Sequence, residues 1–249
     1  MSVAKEQREK LIWEFPNIGK KAPEQEEKAF AYCEGYKEFL NAAKTEREFV
    51  REAVLRLKEA GYEEFEEGKI YQPGDKVYQI NRKKALLMST FGKRPLEDGV
   101  RINVAHIDSP RLDLKPNPLY EKAEAAYFKT HYYGGIRKYQ WATIPLAMHG
   151  VVILKDGTSV DICIGEKEGD PVFCVTDLLP HLAAQQNERK LKDGIKGEEL
   201  NIIVGSLPYP CEEEDSIKEP VKLLALSILN ERFGMTEKDF LRAEIEFVP

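Results

Sequence analysis

GVRINVAHIDSP, residues 99–110, alternates Val100, Ile102 and Val104 with polar or small neighbours, then breaks into a polar turn closed by Pro110. Such alternation marks a strand with one buried face. The strand predicted over residues 99–106 delivers His106 and Asp108 at its C-terminal end, where open α/β sheets collect their chemistry. The fold class read from this stretch is therefore α/β. An imidazole that ligates a metal needs its other ring nitrogen held by a carboxylate or carbonyl, which fixes the tautomer. Asp108 lies two residues beyond His106 on an extended chain and shares its side. His106 is thus the candidate metal ligand and Asp108 the residue that would orient it.

Upstream, residues 24–61 read as two helices. Phe30, Tyr32, Cys33, Tyr36, Phe39 and Leu40 recur at helical spacing in the first. Thr45 and Glu48 form a capping-box pattern for the second, Phe49, Ala53, Leu55 and Leu57 give it an apolar face, and Gly61 stops it. VYQINRKKALLMSTFG, residues 77–92, predicts a hairpin turning near Asn81 and Arg82, with residues 85–88 buried.

Downstream, residues 115–210 lose helical periodicity. Short apolar runs at 143–154, 159–164, 172–175 and 200–204 are separated by turn signals, including Lys155-Asp156-Gly157 and Glu168-Gly169-Asp170. This pattern predicts a β-rich subdomain inserted into the α/β one. A helix returns over 216–234 with Val221, Leu224, Ala225, Ile228 and Leu229 on one face. Thr236 and Asp239 then cap a short turn, and RAEIEFV (242–248) reads as a strand.

The 249 residues carry 37 basic and 43 acidic side chains, a formal net charge of -6. No basic stripe is available to displace counterions from a phosphate backbone, so nucleic acid is not an expected partner. Four cysteines lie far apart with no C-x-x-C pair, which fits reduced thiols better than a disulfide framework. The charged N-terminus has no apolar core of a signal peptide, and no stretch is long enough to span a membrane. A cytoplasmic protein is expected. Three constellations carry no chemistry. Ser109 beside His106 lacks a nucleophile elbow, Gly134-Gly135 lacks a phosphate-loop continuation, and the acidic run at 212–215 reads as a solvated loop.

Several motifs occur in one order: NVAHIDSPRLDLKPNPL, YYGGIRKYQW, IPLAMHGVVILKDG, TDLLPHLA and AEIEFVP. Together they resemble the aspartyl aminopeptidase family of M18 metallo-aminopeptidases over nearly the whole chain. The resemblance implies a partial zinc-peptidase α/β domain with an inserted β-rich dimerisation domain. Residues 1–114 would be the N-terminal part of the peptidase domain, 115–235 the dimerisation domain and 236–249 the return into the peptidase domain. It further implies peptide substrates, dimers that assemble into a closed tetrahedral dodecamer, and a two-zinc site. In that site His106 matches the first ligand and Asp108 the acidic residue behind it.

The departures from the family pattern are informative. Ile107 replaces the usual Thr of the HTDSP motif, and GGIRKYQW replaces a GG-x-W-x-x-W-type stretch. Gln185 stands where some relatives carry a second His near the PHLA motif, so His181 is expected to make a structural hydrogen bond rather than enter a partner's site. The family's bridging Asp, paired Glu, further carboxylate and final His would all follow the dimerisation domain, beyond Pro249. Of the four histidines, His131, His149 and His181 fall in the insertion at no ligand spacing. Two other readings stay open at this level. One is a non-catalytic assembly or interaction protein, in which the strand over 244–248 would present an exposed edge. The other is one half of a split or truncated peptidase.

Overall fold

The computed structural model describes residues 2–13, 15, 22–210 and 217–249, so the acidic run at 212–215 lies outside the described residues. The chain divides into two compact units, Met1–Ala43 and Lys44–Pro249. The first holds helices α1 (Val3–Leu11) and α2 (Pro23–Ala42). Pro23 opens α2 at a position where its missing N–H is not needed. The aromatic spacing anticipated there is helical, and it leaves Phe30, Tyr32 and Tyr36 exposed.

The second unit starts with α3 (Glu46–Glu59), entered through the expected capping box. The Glu48 amide donates to Thr45 Oγ1, and the Thr45 amide donates back to Glu48 Oε2 at 3.1 Å. Val50 and Val54 of α3 pack with Tyr78 in a small apolar cluster. Tyr78 belongs to a three-stranded sheet of β1 (Glu63–Glu64), β2 (Lys76–Asn81) and β3 (Ala85–Thr90). The β2–β3 hairpin turns where the sequence placed it, with Arg82 and Lys83 in left-handed conformation at φ 53 and 59.

Two expectations fail in this region. Residues 85–88 are not a buried run, because Leu87 and Met88 are each 62% exposed on β3, at the edge of its sheet. Residues 99–106 form no strand, and their alternating Val100, Ile102 and Val104 are exposed, Val104 at 89%. Alternation encodes one sticky face, but a strand exists only when a neighbour takes its backbone hydrogen bonds. Among the described residues no strand pairs with this segment.

The larger sheet has seven strands in the order β7-β6-β10-β4-β5-β9-β8. They are β4 (Arg111–Lys122), β5 (Ala125–Tyr133), β6 (Ala147–Ile153), β7 (Ser159–Ile164), β8 (Cys174–Val175), β9 (Ile202–Gly205) and β10 (Ala243–Val248). Every pairing is antiparallel. Isolated bridges from Phe173 to Leu146 and from Val175 to Ala142 curl the β8 end back towards the start of β6. Helix α4 (Ala184–Asn187) lies in the long β8–β9 connection, and α5 (Pro220–Phe233) precedes β10.

The core is the concave side of this curl, where Leu112, Phe128, Met148, Val152, Ile162, Ile202 and Phe247 are fully buried together with Val221 and Leu229 of α5. Burying each such large side chain contributes about 1.5–3 kcal/mol. Glu121 of β4 fixes the start of α5, its Oε2 accepting from the amides of Val221 and Lys222 at 2.9 and 3.0 Å. Those amides have no acceptor within the helix. Gly234, at φ 70, ends α5 as a left-handed cap.

β10 is not an open edge. It pairs with β6 over residues 243–248 and with β4 at Glu246 and Phe247, which makes it an interior strand of the sheet. The stretch 236–249 supplies β10 to this sheet. Gly150 is required by this pairing, since a Cβ there would meet the Glu244 carbonyl oxygen at 2.1 Å.

Candidate functional site

His106 and Asp108 lie on the irregular segment that leads into β4. The His106 side chain is 86% exposed. Its Nδ1 faces only acceptors, the Asp108 carbonyl oxygen at 3.1 Å and Asp108 Oδ1 at 3.4 Å. Two acceptors on one ring nitrogen require that nitrogen to carry the hydrogen, which leaves Nε2 with a bare lone pair in the neutral ring. Sequence spacing thus brought the expected pair together, through the backbone oxygen as well as the carboxylate. Ile107, between them, is partly buried against the cluster of Val50, Val54 and Tyr78.

Asp108 is held from the other side by Tyr133 at the end of β5, whose hydroxyl donates to Oδ2 at 2.7 Å. That bond, with the nearby His106, keeps the Asp108 carboxyl below the usual aspartate range and raises the phenol of Tyr133. The Arg111 guanidinium lies 4.1 Å from the centroid of the Tyr133 ring, within cation–π range.

Arg111 is buried, with its side chain 8% exposed, and is surrounded by carboxylates. Nη1 meets Glu46 at 2.9 Å, and Nε meets Asp113 at 2.8 Å and Glu246 at 3.4 Å. Burial works against the guanidinium charge, but Glu246, Asp113 and Glu46 outweigh it and the arginine stays charged. Glu246 goes the other way. Burial and the neighbouring Glu46 push its carboxyl up to about 8, against which Arg111 pulls only partly. Among the described residues, one side-chain oxygen of Glu46 and one of Glu246 have no hydrogen-bond partner.

This cluster is part of a polar row across the sheet. The cross-strand register puts Cys163, His149, Glu246, Asp113 and His131 side by side on β7, β6, β10, β4 and β5. The first turn of α3 closes over the row. Glu46 reaches Arg111, Arg47 binds Glu244 with Nη2 at 2.6 Å, and Glu48 takes the Nδ1 of His149 at 2.8 Å. Glu166 binds Nε2 of the same ring at 2.9 Å. Burial disfavours the charged imidazole, but two carboxylate partners reverse that and raise its pKa above the ordinary histidine value. His149 is thus a core histidine held as an imidazolium by acceptors on both nitrogens.

His131 stacks on Tyr132 with centroids 5.4 Å apart. His181 is exposed and lacks, among the described residues, the structural hydrogen bond expected of it. No group of three or more His, Cys, Asp or Glu side chains among the described residues is placed to hold a metal ion. A cleft of about 680 Å³ between α3, the β2–β3 turn and the β6–β7 hairpin is lined by neither His106 nor Asp108. Sequence reasoning missed Arg111, Tyr133, Glu46 and Glu246. Tyr133 was visible only as part of the YYGG motif, and the acidic residues looked like surface charge.

Residues 39–249 match the family model described as "Aminopeptidase I zinc metalloprotease (M18)". A probable M18 family aminopeptidase 1 of Clostridium acetobutylicum is 48% identical over 244 residues, covering 96% of this chain and 52% of the relative. The crystal structure of an M18 family aminopeptidase from Thermotoga maritima superposes with a TM-score of 0.86 at 45% identity, covering 96% of this chain and 51% of that one. Aminopeptidase I from Borrelia burgdorferi gives a TM-score of 0.79 at 41% identity, covering 91% and 50%. The chain spans about half the length of the relatives it matches.

Proposed function

Because the chain belongs to the M18 aminopeptidase I zinc metalloprotease family, we propose that it is the ligand-bearing and oligomer-forming part of a zinc-dependent aminopeptidase of the aspartyl aminopeptidase type. The whole enzyme would remove N-terminal residues from peptides. The observation that carries this reading is the His106–Asp108 geometry, with Nδ1 engaged and Nε2 turned out as a ready donor. In this reading His106 is a metal ligand and Asp108 the residue that orients it.

Structural and catalytic zinc sites use about three or four protein ligands, and the described residues offer one imidazole with a carboxylate behind it. They do not by themselves hold a zinc ion, still less two. The remaining donors belong, in this proposal, to the half of the relatives that the chain does not match.

The seven-stranded sheet is proposed as the dimerisation domain, with homodimers building towards the dodecamer that the resemblance implies. The sheet runs from Arg111 to Val248, so its hydrogen bonding favours a unit wider than 115–235, with the peptidase portion upstream of β4. A cytoplasmic location fits a chain in which no described helix is long and apolar enough to cross a membrane.

The test is release of N-terminal Asp, Glu or Leu from short peptides, with added Zn²⁺ and with chelator, by the 249-residue chain and by a version extended to the length of its relatives. Chelator-sensitive release by the extended protein, abolished by His106→Ala without loss of assembly, is the expected result. Unchanged turnover in His106→Ala would sink the ligand assignment. Folded, oligomeric protein inactive at both lengths would favour the non-catalytic assembly reading.

A further inference from the structure

We infer that Tyr133 and Arg111 are positioning residues for the His106–Asp108 pair, the tyrosine fixing the aspartate and the arginine bracing the tyrosine. The inference rests on the proposed role of His106 and extends it to two side chains on the β-rich sheet.

The segment carrying His106 has no backbone ladder to hold it. Its side-chain ties are few. Ile107 tucks against the α3 cluster on one side, and on an extended stretch its neighbours His106 and Asp108 project from the opposite side. There the Tyr133 hydroxyl takes Asp108 Oδ2 at 2.7 Å, a short bond to an ionised acceptor. Arg111 Nη1 reaches the Ser109 carbonyl at 3.5 Å.

With Oδ2 engaged, the carboxylate cannot rotate freely. Oδ1 and the Asp108 carbonyl are then both presented to Nδ1 of His106. Removing the hydroxyl would free the carboxylate, and Nδ1 would lose Oδ1 as a fixed acceptor while keeping the Asp108 backbone carbonyl. With only the carbonyl left on Nδ1, a larger share of the neutral ring carries its hydrogen on Nε2, the nitrogen a metal needs bare.

Tyr133 itself closes β5 and is paired in register with Arg111 at the start of β4. The guanidinium at 4.1 Å sets the ring plane from one face. Two carboxylates and a buried carboxyl group from three elements hold that guanidinium: Glu46 opens α3, Asp113 belongs to β4 and the Glu246 carboxyl to β10. A buried cluster of the sheet thus determines where an exposed histidine points. Arginine suits this base better than lysine, because a planar fork can stack and pair at once.

The experiment is ¹⁵N NMR of the imidazole rings in the metal-free 249-residue chain, where only four histidines contribute and His106→Ala assigns the signal. In the parent protein the neutral His106 ring is expected mainly as the Nδ1–H tautomer. Tyr133→Phe keeps the ring and its stacking, so the thermal midpoint should hold while the Nδ1–H to Nε2–H ratio falls about tenfold, the scale of one charge-assisted hydrogen bond. Arg111→Lys should give a smaller shift in the same direction. Should Tyr133→Phe fail to fold, Asp108→Asn reads the same link, because a carboxamide is a weaker acceptor for Nδ1–H. An unchanged tautomer ratio in the folded variant overturns the inference, as does a parent ring already in the Nε2–H form. No metal enters this measurement, so failure of the ligand assignment is read separately, as zinc retained by His106→Ala in the extended protein.

Discussion

The two sheets of the second unit are built from similar apolar residues and end up in opposite states. The seven-stranded sheet curls over its own core and leaves Phe247, Leu112 and Phe128 without contact to solvent. The three-stranded sheet buries Tyr78 against α3 but leaves Leu87 and Met88 open on β3, followed by the exposed apolar row at Val100, Ile102 and Val104. One sheet is finished by its own chain. The other offers a surface of a kind that folded proteins usually cover, since contiguous exposed apolar side chains mark an interface or an aggregation hazard. Within the proposed function that cover is the remaining part of the peptidase domain.

The sharpest test of the contrast is truncation in each sheet. Phe247→Ala, in the paired centre of the larger one, should cost about 3–5 kcal/mol in urea unfolding, the usual range for deleting a buried aromatic ring. Its ring contacts with Phe128 and Phe173 would go at the same time. A loss below about 1 kcal/mol would mean that the curl does not form the closed core described here.

A second, intermediate effect concerns the polar row that joins α3 to the larger sheet. His149 has a folded pKa above its ordinary 6.5, the cost of burial being outweighed by Glu48 and Glu166. Its contribution is therefore complete below about pH 6.5 and is lost as pH rises through the folded value. Its ring also faces Cys163 on β7 and Glu246 on β10, and Arg51 approaches its partner Glu48 at 4.0 Å. Burial is the first cause that raises Glu246, from 4.5 to about 8, so the unfolded chain releases that proton first and stability falls between those two values. Glu48, Glu244 and Asp239 have lowered pKa values because, against burial, His149, Lys84 with Arg47, and Thr236 with Arg242 favour their charged forms. They protect the fold above about pH 4.5 and fail in acid. Stability should thus peak near pH 5–6 and decline towards pH 9. Glu246→Gln should flatten the decline and match or exceed the parent at pH 8. A parent chain most stable at pH 8, or a variant that declines as steeply as the parent, would contradict the protonated, buried state of Glu246.

Much of this architecture was legible, and the exceptions share a cause. The α3 capping box, the Gly234 cap, the Asp156-Gly157 turn and the strand over 159–164 are local signals that appear where they were read, and the strand read over 242–248 forms from Ala243. The β4–β5 hairpin was not read, although it forms the long axis of the sheet. Its turn uses Ala123 and Glu124 at φ 50 and 58 rather than glycine or asparagine, and Pro116 and Pro118 interrupt the pattern at a register shift between Leu114 and Leu119. Prolines demote a run in any strand search, yet a bulge accommodates them. At the site, His106 and Asp108 were legible because they are adjacent in sequence. Tyr133 and Glu246 lie 25 and 138 residues from Asp108 and reach it or its supports only through β-pairing. Residues 99–106 show the converse, a strand pattern with no strand, since alternation records what a segment can bury and not whether a neighbour is present.

The smallest expected effect on stability lies on the open sheet, and there the informative readout is association. Leu87→Ser with Met88→Ser removes two exposed apolar side chains from β3 without emptying a cavity. Polar residues in their place should leave the unfolding midpoint within about 0.5 kcal/mol of the parent, as is usual for surface changes. The same pair should lower self-association and dye binding to exposed apolar surface, because β3 exposes an apolar side chain on each face beside an edge that is unpaired among the described residues. Sedimentation of parent and variant at matched concentration checks this. If the variant associates as strongly as the parent, the contacts come from elsewhere, with the seven-stranded sheet the first place to look. If it loses more than about 1 kcal/mol, Leu87 and Met88 are covered in the folded protein, and the contrast between an open and a closed sheet does not hold.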